Sequence, residues 1–457
     1  MKHLRSNAID PGRLRLALAA VLPTAILSLG AGSVQAVPAF AVQTGQPCQG
    51  CHVGGFGPQL TVFGRNFKLH GYTQRSVDFN VPLSAMAVAS YVKTEKPQAG
   101  PPAPNFNNND NFGLDQISLF IAGGLGQHLG AFVQTTYDGI HRAWHWDNLD
   151  IRATTALTIR NADVLIGASL NNNPTVQDSW NTTPAWGYPY TNSSLAPAPA
   201  SSPLINGAFA QNTLGLTAYA WINSEFYIEA GAYGSPGAST LVHLGVNPAA
   251  PGDIDGAAPY GRIAFQHQAG PGVLEIGGVG MYSEVHPGLD RTAGTTDRFT
   301  DLGADASYIW NRANGDVVTV QGRYVHEQQD LRATCILAGQ LPGCANIELN
   351  DLRADASYYW RNKIGFTVAG FDTFGSANPV IYASNRTSKP NSNGVLLQVD
   401  GTPWGGEGSP LGPRFNMRVG VQYTVYTSFN GADSNFDGAG TNAGANNTFR
   451  VFTWIAY

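Results

Sequence analysis

From about residue 82 onward, apolar and polar side chains alternate with a period of two, in blocks of about ten residues broken by Gly, Asn, Asp and Pro. That period puts successive side chains on opposite faces of an extended strand. The clearest blocks come in pairs. Residues 214–221 and 225–233 flank Asn223-Ser224, and 260–268 and 273–283 flank a Gly-Pro-Gly turn at 269–272. Residues 302–310 and 317–327 flank 311–315, and 352–360 and 366–374 flank Arg361-Asn362-Lys363.

The whole pattern predicts about sixteen strands, near 82–95, 112–123, 130–138, 145–156, 162–170, 212–222, 224–233, 258–268, 273–285, 300–312, 316–329, 350–361, 364–375, 393–402, 414–426 and 448–457. Short connections mostly alternate with long ones. In a membrane barrel an even count leaves both termini on one side, with the short turns facing the periplasm. The turn at 403–413 is longer than the others on its side.

Side-chain chemistry distinguishes a membrane barrel from a soluble sandwich. Leu302-Gly-Ala-Asp-Ala-Ser-Tyr-Ile-Trp310 recurs as Leu352-Arg-Ala-Asp-Ala-Ser-Tyr-Tyr-Trp360. One face of each repeat is Leu, Ala, Ala, Tyr, Trp; the other carries Asp305 and Ser307, or Arg353, Asp355 and Ser357. An apolar outer face, a polar inner face and aromatics at the strand ends suit a strand with lipid outside and a polar lumen inside. The last strand follows the same rule, with Phe449, Val451, Thr453, Ile455 and Tyr457 outward.

Composition agrees. Only 12% of the 457 residues are charged, whereas there are 54 Gly, 18 Tyr and 9 Trp, unlike an average soluble enzyme. The net charge of −5 gives no reason to expect a nucleic-acid partner. Residues 1–36 read as a secretory signal: Lys2, Arg5, Arg13 and Arg15 precede an apolar stretch from Leu16 to Leu29, and Val34-Gln35-Ala36 forms a cleavage site. Export to the outer membrane of a Gram-negative cell is the expected destination.

Between signal and barrel, residues 37–80 hold Gln43-Thr44-Gly45-Gln46-Pro47-Cys48-Gln49-Gly50-Cys51-His52. C-x-x-C-H is the attachment signal for a c-type haem. Thiols at this spacing, Cys48 and Cys51, can each form a thioether with a haem vinyl group, and His52 then becomes the proximal iron ligand. A zinc site would need a second ligand pair nearby, and a thioredoxin-like site a βαβ pattern; neither is present. The segment is too short to enclose a haem with a core of its own, so the barrel is expected to hold it as a lumenal plug. For a sixth ligand His70 is the nearest candidate, with Met86 and Lys68 behind it; five-coordination stays open. Cys335 and Cys344 are expected to form a short-loop disulfide in an oxidising compartment. The long loop at 171–211 either folds inward to narrow the pore or lies on the surface. Asp305 and Asp355 are lumenal candidates for brief cation contact, but pairing with Arg353 and Arg323 offers a structural role.

The order signal, C-x-x-C-H, barrel resembles the fused outer-membrane monohaem cytochrome–porins of iron-oxidising bacteria. Similar stretches are Gln43-Thr44-Gly45 to His52, then Leu60-Thr61, Phe63-Gly64-Arg65, Phe67-Lys68-Leu69 and Gly71-Tyr72, and the ending from Arg418 to Tyr457. The resemblance implies an Fe(II):cytochrome c oxidoreductase. It would bear one covalent haem c, oxidise extracellular Fe(II) and pass the electron to a periplasmic cytochrome. A haem-bearing solute porin and a conduit for another donor are the alternatives.

Overall fold

Alternating β-branched and aromatic residues give strands that hydrogen-bond to both neighbours, and in lipid the only finished form of such a sheet is a closed one. The computed structural model describes residues 37–77, 81–341, 344–406, 409–411 and 414–457; the signal segment read at 1–36 lies outside them. Seventeen strands follow in order: β1 Leu83–Thr94, β2 Asn111–Gly124, β3 Leu129–Asp138, β4 Ala143–Ile159, β5 Ala162–Asn171, β6 Leu214–Ile222, β7 Phe226–Gly234, β8 Gly252–Ile254, β9 Ala258–Ala269, β10 Gly272–Pro287, β11 Asp297–Asn311, β12 Val317–Asp330, β13 Asn346–Trp360, β14 Ile364–Gly375, β15 Ser392–Gly401, β16 Asn416–Ser428 and β17 Thr448–Ala456. Each barrel strand pairs antiparallel with its sequence neighbours, and β1 closes on β17 from Met86↔Ala456 to Thr94↔Thr448. The three-residue β8 pairs with the tip of β10 and β7 skips it to pair with β9, so the closed barrel has sixteen strands. All sixteen expected segments are barrel strands; β8 was too short to register as alternation.

The two faces divide as the pattern requires. Leu302, Leu352, Phe366, Val368, Val395, Leu397, Val419, Val421 and Val451 are exposed on the outside. Asp305, Ser307, Asp355, Ser357, Arg262 and Arg418 are buried inside. Tight turns suit the short connections: Asn223 and Ser224, and Arg361 and Asn362, adopt positive φ, the left-handed pairs of the favoured two-residue hairpin. Among the described residues no helix is long and apolar enough to cross a membrane.

The lumen is filled. Residues 37–77 make three short helices, α1 Pro38–Thr44, α2 Cys48–Cys51 and α3 Val62–Leu69, which pack against the inner wall. The 172–213 connection also folds inward, with 172–183 buried throughout, which decides between its two expected positions. Its Asp178 accepts backbone hydrogen bonds from Trp180 (3.1 Å), Thr182 (2.9 Å) and Thr183 (3.1 Å). Trp180 packs edge-on to Trp221 and Tyr227. Arg262 on β9 then pairs with Asp178 (3.2 Å), Glu275 (3.2 Å) and Asp305 (2.7 Å), all buried. Outside, Cys335 and Cys344 are joined as a disulfide with Cα atoms 6.0 Å apart.

Two substitutions test this arrangement. Arg262→Met leaves three buried carboxylates facing one another and is expected to cost about 3–5 kcal/mol. Val368→Arg puts a charge on the lipid face near mid-strand and is expected to cost about 2–4 kcal/mol. Denaturant unfolding from lipid vesicles, followed by tryptophan fluorescence, measures both.

Candidate functional site

The C-x-x-C-H motif sits on a turn clipped from several sides. Pro47 opens α2 and the His52 backbone N–H closes it on the Cys48 carbonyl (2.8 Å). Thr61 caps α3, its hydroxyl accepting from the Gly64 N–H (3.2 Å) and donating to the Gly50 carbonyl (2.6 Å). Its own N–H donates to the Cys51 carbonyl (2.9 Å). Gly64 allows this approach, since a Cβ there would lie 2.3 Å from the Cys51 oxygen. Gln43, fully buried, donates to the Tyr72 (2.7 Å) and Gln74 (2.8 Å) carbonyls and accepts from the Gly124 N–H (2.8 Å). One side chain thereby joins α1, the end of the segment and a barrel turn.

The barrel holds the same turn from the other side. Gln49 donates to the Asn362 carbonyl (2.9 Å), and its backbone N–H to that of Gly405 (3.0 Å). Asn362 accepts from the Gly54 N–H (2.6 Å), and Asn416 donates to the Gly55 carbonyl (2.9 Å). Gly405 belongs to the unusually long 402–415 connection. Its length has a structural use: it reaches under the plug to receive Gln49.

A cavity opens beside the motif, with about 980 Å³ of empty space when the open solvent at its mouth is included. Cys51 and His52 line it, with Phe40, Phe56, Leu60, Phe67 and Tyr72 from the segment. Met86, Phe120, Phe132 and Trp454 come from β1, β2, β3 and β17, and Trp186 from the inward loop. Phe40 stacks on Tyr72 (5.1 Å between centroids) and meets Phe67 edge-on (5.0 Å). The wall is therefore largely aromatic and apolar.

The donor set fits a covalent haem. Burial pushes the Cys51 thiol up to about 12 and the Cys48 thiol higher still, so both are neutral thiols. Burial pushes His52 down to about 4, against a weaker upward pull from the Gly57 carbonyl. The imidazole is neutral at physiological pH, the form that binds a metal. Its Nδ1 is buried and makes no hydrogen bond. Cys48 lies behind Cys51, packed against Ala41, and does not itself line the cavity.

The other expected residues fall differently. His70 does not line the cavity; it ends α3 and its Nδ1 faces the Asn66 carbonyl one turn back (2.8 Å). His70 stands at the C-cap, two residues beyond the wall residue Lys68, and residues i and i+2 of a helix do not share a face. Met86 and Lys68 do line it. Lys68 Nζ donates to the Val176 carbonyl (2.8 Å) and Asn181 Oδ1 (2.8 Å) of the inward loop and sits over the Trp186 ring (5.0 Å). Asp305 and Asp355 are lumenal but engaged, and their partners are not the arginines expected. Asp305 binds Arg262 and Thr182, and Asp355 accepts from Gln321 (2.9 Å). Arg353 pairs instead with Asp351 (3.0 Å). The cavity wall contributed by β1, β2, β3 and β17 had no local sequence signal. The spacing of Phe40, Phe67 and Tyr72 around the motif was the only hint of an aromatic lining.

Lys68 gives a pH test. Burial, with Arg152 nearby, pushes its amine down to about 7 from an ordinary 10.5. Between those values the unfolded chain binds a proton that the native plug does not, so stability rises with pH across the window and is lost as pH falls through 7. Lys68→Met is expected to flatten that slope, measured as unfolding free energy in vesicles at several pH values across the window.

No protein-family model matches the chain, and no curated protein matches it. Solved structures similar to it include Pseudomonas putida OprB, 12% identical over 82% of this chain and 94% of that one, with a TM-score of 0.46. An anion-selective porin from Comamonas acidovorans is 13% identical over 82% and 98%, at 0.43. The outer membrane channel DcaP of Acinetobacter baumannii is 10% identical over 82% and 96%, also at 0.43.

Proposed function

We propose that this chain is an outer-membrane electron conduit that oxidises extracellular Fe(II) at one covalently held haem c and delivers the electron to a periplasmic cytochrome. The observation that carries the reading is a C-x-x-C-H motif inside a barrel lumen, beside an aromatic cavity lined by a neutral His52 and by Cys51. A porin needs an open lumen. This one is occupied by residues 37–77 and by the inward loop, which suits passage of an electron better than passage of a solute.

In this reading Cys48 and Cys51 hold the cofactor and His52 offers its imidazole to the iron. The bound group supplies a one-electron couple, with axial ligation and burial as the levers on its potential. Met86 and Lys68 are the wall donors on which a sixth bond could draw. Phe40, Phe67, Tyr72 and Trp454 keep water off the site. Exposed carboxylates on the β16–β17 loop, Asp433 and Asp437, favour approach of a divalent cation. Fe(III) is then released outside, where it is formed.

The test is to purify the haem-loaded barrel and add Fe(II) anaerobically while following haem absorption. Rapid reduction is expected, with near-zero ion conductance in planar bilayers. Cys48→Ser and Cys51→Ser are expected to lose covalent haem while keeping the barrel's heat-modifiable migration on gels. A haem that dithionite reduces but Fe(II) does not would overturn the iron reading in favour of another donor. Steady conductance would favour the solute porin.

A further inference from the structure

The plug's edge on the short-turn side is uncharged, and cations crowd one flank of it. From residue 37 to residue 64 there is no Lys, Arg, Asp or Glu. Within that stretch Gln46, Pro47, Gln49 and Gly50 are half-exposed at the rim, directly over the buried Cys48 and Cys51. Gln49 is anchored to the β13–β14 turn through Asn362 and to the β15–β16 turn through Gly405. Those two turns and the neighbouring β11–β12 turn carry Arg361, Lys363, Arg414 and Arg312. Arg312 and Arg361 are exposed; Lys363 and Arg414 are half-exposed.

Little offsets these charges. Among the described residues of the three turns the one carboxylate is Asp316, and Glu407 adds another by sequence. Asp316 is already occupied by Asn314 (2.7 Å), Tyr358 (2.7 Å) and the Arg361 backbone N–H (2.9 Å), with Arg312 at 3.8 Å. Arg312 and Arg361 are steadied over the rings of Trp310 (5.3 Å) and Trp360 (5.0 Å). Away from this flank His267 meets Glu225 (2.7 Å), Arg160 neighbours Asp163 in the β4–β5 hairpin, and Arg75 donates to the Gly124 carbonyl (2.6 Å). Among the described residues, four cations thus gather on the flank where the C-x-x-C turn reaches the surface.

We infer that residues 46–50, with Arg312, Arg361, Lys363 and Arg414 beside them, form the docking surface for an acidic redox partner on the periplasmic side. The inference rests on the electron-conduit reading. A small uncharged centre lets the partner approach closely, and the one-sided positive rim steers it there and sets its orientation. One electron leaves the reduced protein across this edge and reduces the partner by one electron; no bond forms or breaks.

The haem-loaded barrel, reduced with dithionite so that iron oxidation is not needed, is mixed rapidly with ferricyanide as anionic acceptor or with a cationic ruthenium(III) ammine. Native protein should pass its electron to ferricyanide at a rate that falls steeply with ionic strength. An Arg312→Gln, Arg361→Gln, Lys363→Gln variant should be slower by about tenfold toward ferricyanide and faster toward the cationic acceptor. The corresponding variant with lysine at 312 and 361, keeping Lys363, should retain the native rates. Heat-modifiable migration verifies that each variant is folded. Rates indifferent to these charges in folded protein would overturn the docking surface. So would a variant that loses only its affinity for vesicles of anionic phospholipid, since the rim would then serve lipid headgroups. Absence of a covalent haem band would sink the electron-conduit reading itself, and it shows before any acceptor is added.

Discussion

In the hydrocarbon of a membrane an unpaired backbone N–H or C=O costs several kcal/mol, and the pairing of β1 with β17 is what leaves no such edge in this chain. Other features follow from that closure. A closed sheet of sixteen strands encloses a space wider than its own side chains can fill, left to water or to further protein. Here two segments occupy it, one from each side: the short helices α1–α3 from the end with tight turns, and the 172–213 connection from the end with long loops. They meet where Lys68 donates to Val176 and Asn181.

Filling a polar lumen with protein strips water from its charges, and each charge then needs a partner. Arg262 takes three carboxylates, Asp150 is held by Arg152 (2.8 Å) and Tyr72 (2.6 Å), and Asp400 by Arg418 (3.0 Å). Arg65 reaches from α3 to Ser307 (3.0 Å). These contacts cross between plug, loop and wall, so the three parts share one polar core. The segment of residues 37–77 is far too small to be a domain by itself. It borrows its hydrophobic surroundings from the short-turn ends of β1, β2, β3 and β17 and its register from glycines. Gly54, at φ +70°, could not carry a Cβ without striking Tyr359 and Arg418.

The barrel was legible in the sequence because a strand with lipid on one side and a polar interior on the other must alternate, residue by residue. Leu302, Ala304 and Ala306 against Asp305 and Ser307 are the pattern in its plainest form. The C-x-x-C-H spacing was visible for a similar reason, since it is local, and it is the basis of the proposed haem site. Contacts between distant residues were not. Nothing near Asp305 announces Arg262, and nothing near Gln49 announces Gly405. His70 illustrates the limit: nearness in sequence made it a candidate, but the turn of α3 decided where it pointed. The long 402–415 connection, which had no evident use in the sequence, is a support for the plug.

Cys48 is fully buried and Cys51 nearly so, closed in by α1, α3 and the barrel turns beneath them. Chemistry on those sulfurs is therefore a matter of timing. If a group is attached to them, as proposed, it would have to be attached before sixteen strands close around the segment. A barrel that closed first would seal two unmodified thiols inside itself. In the proposed reading, attachment at Cys48 and Cys51 would have to outrun closure of the last strands, and a barrel closed too early would hold an inert plug.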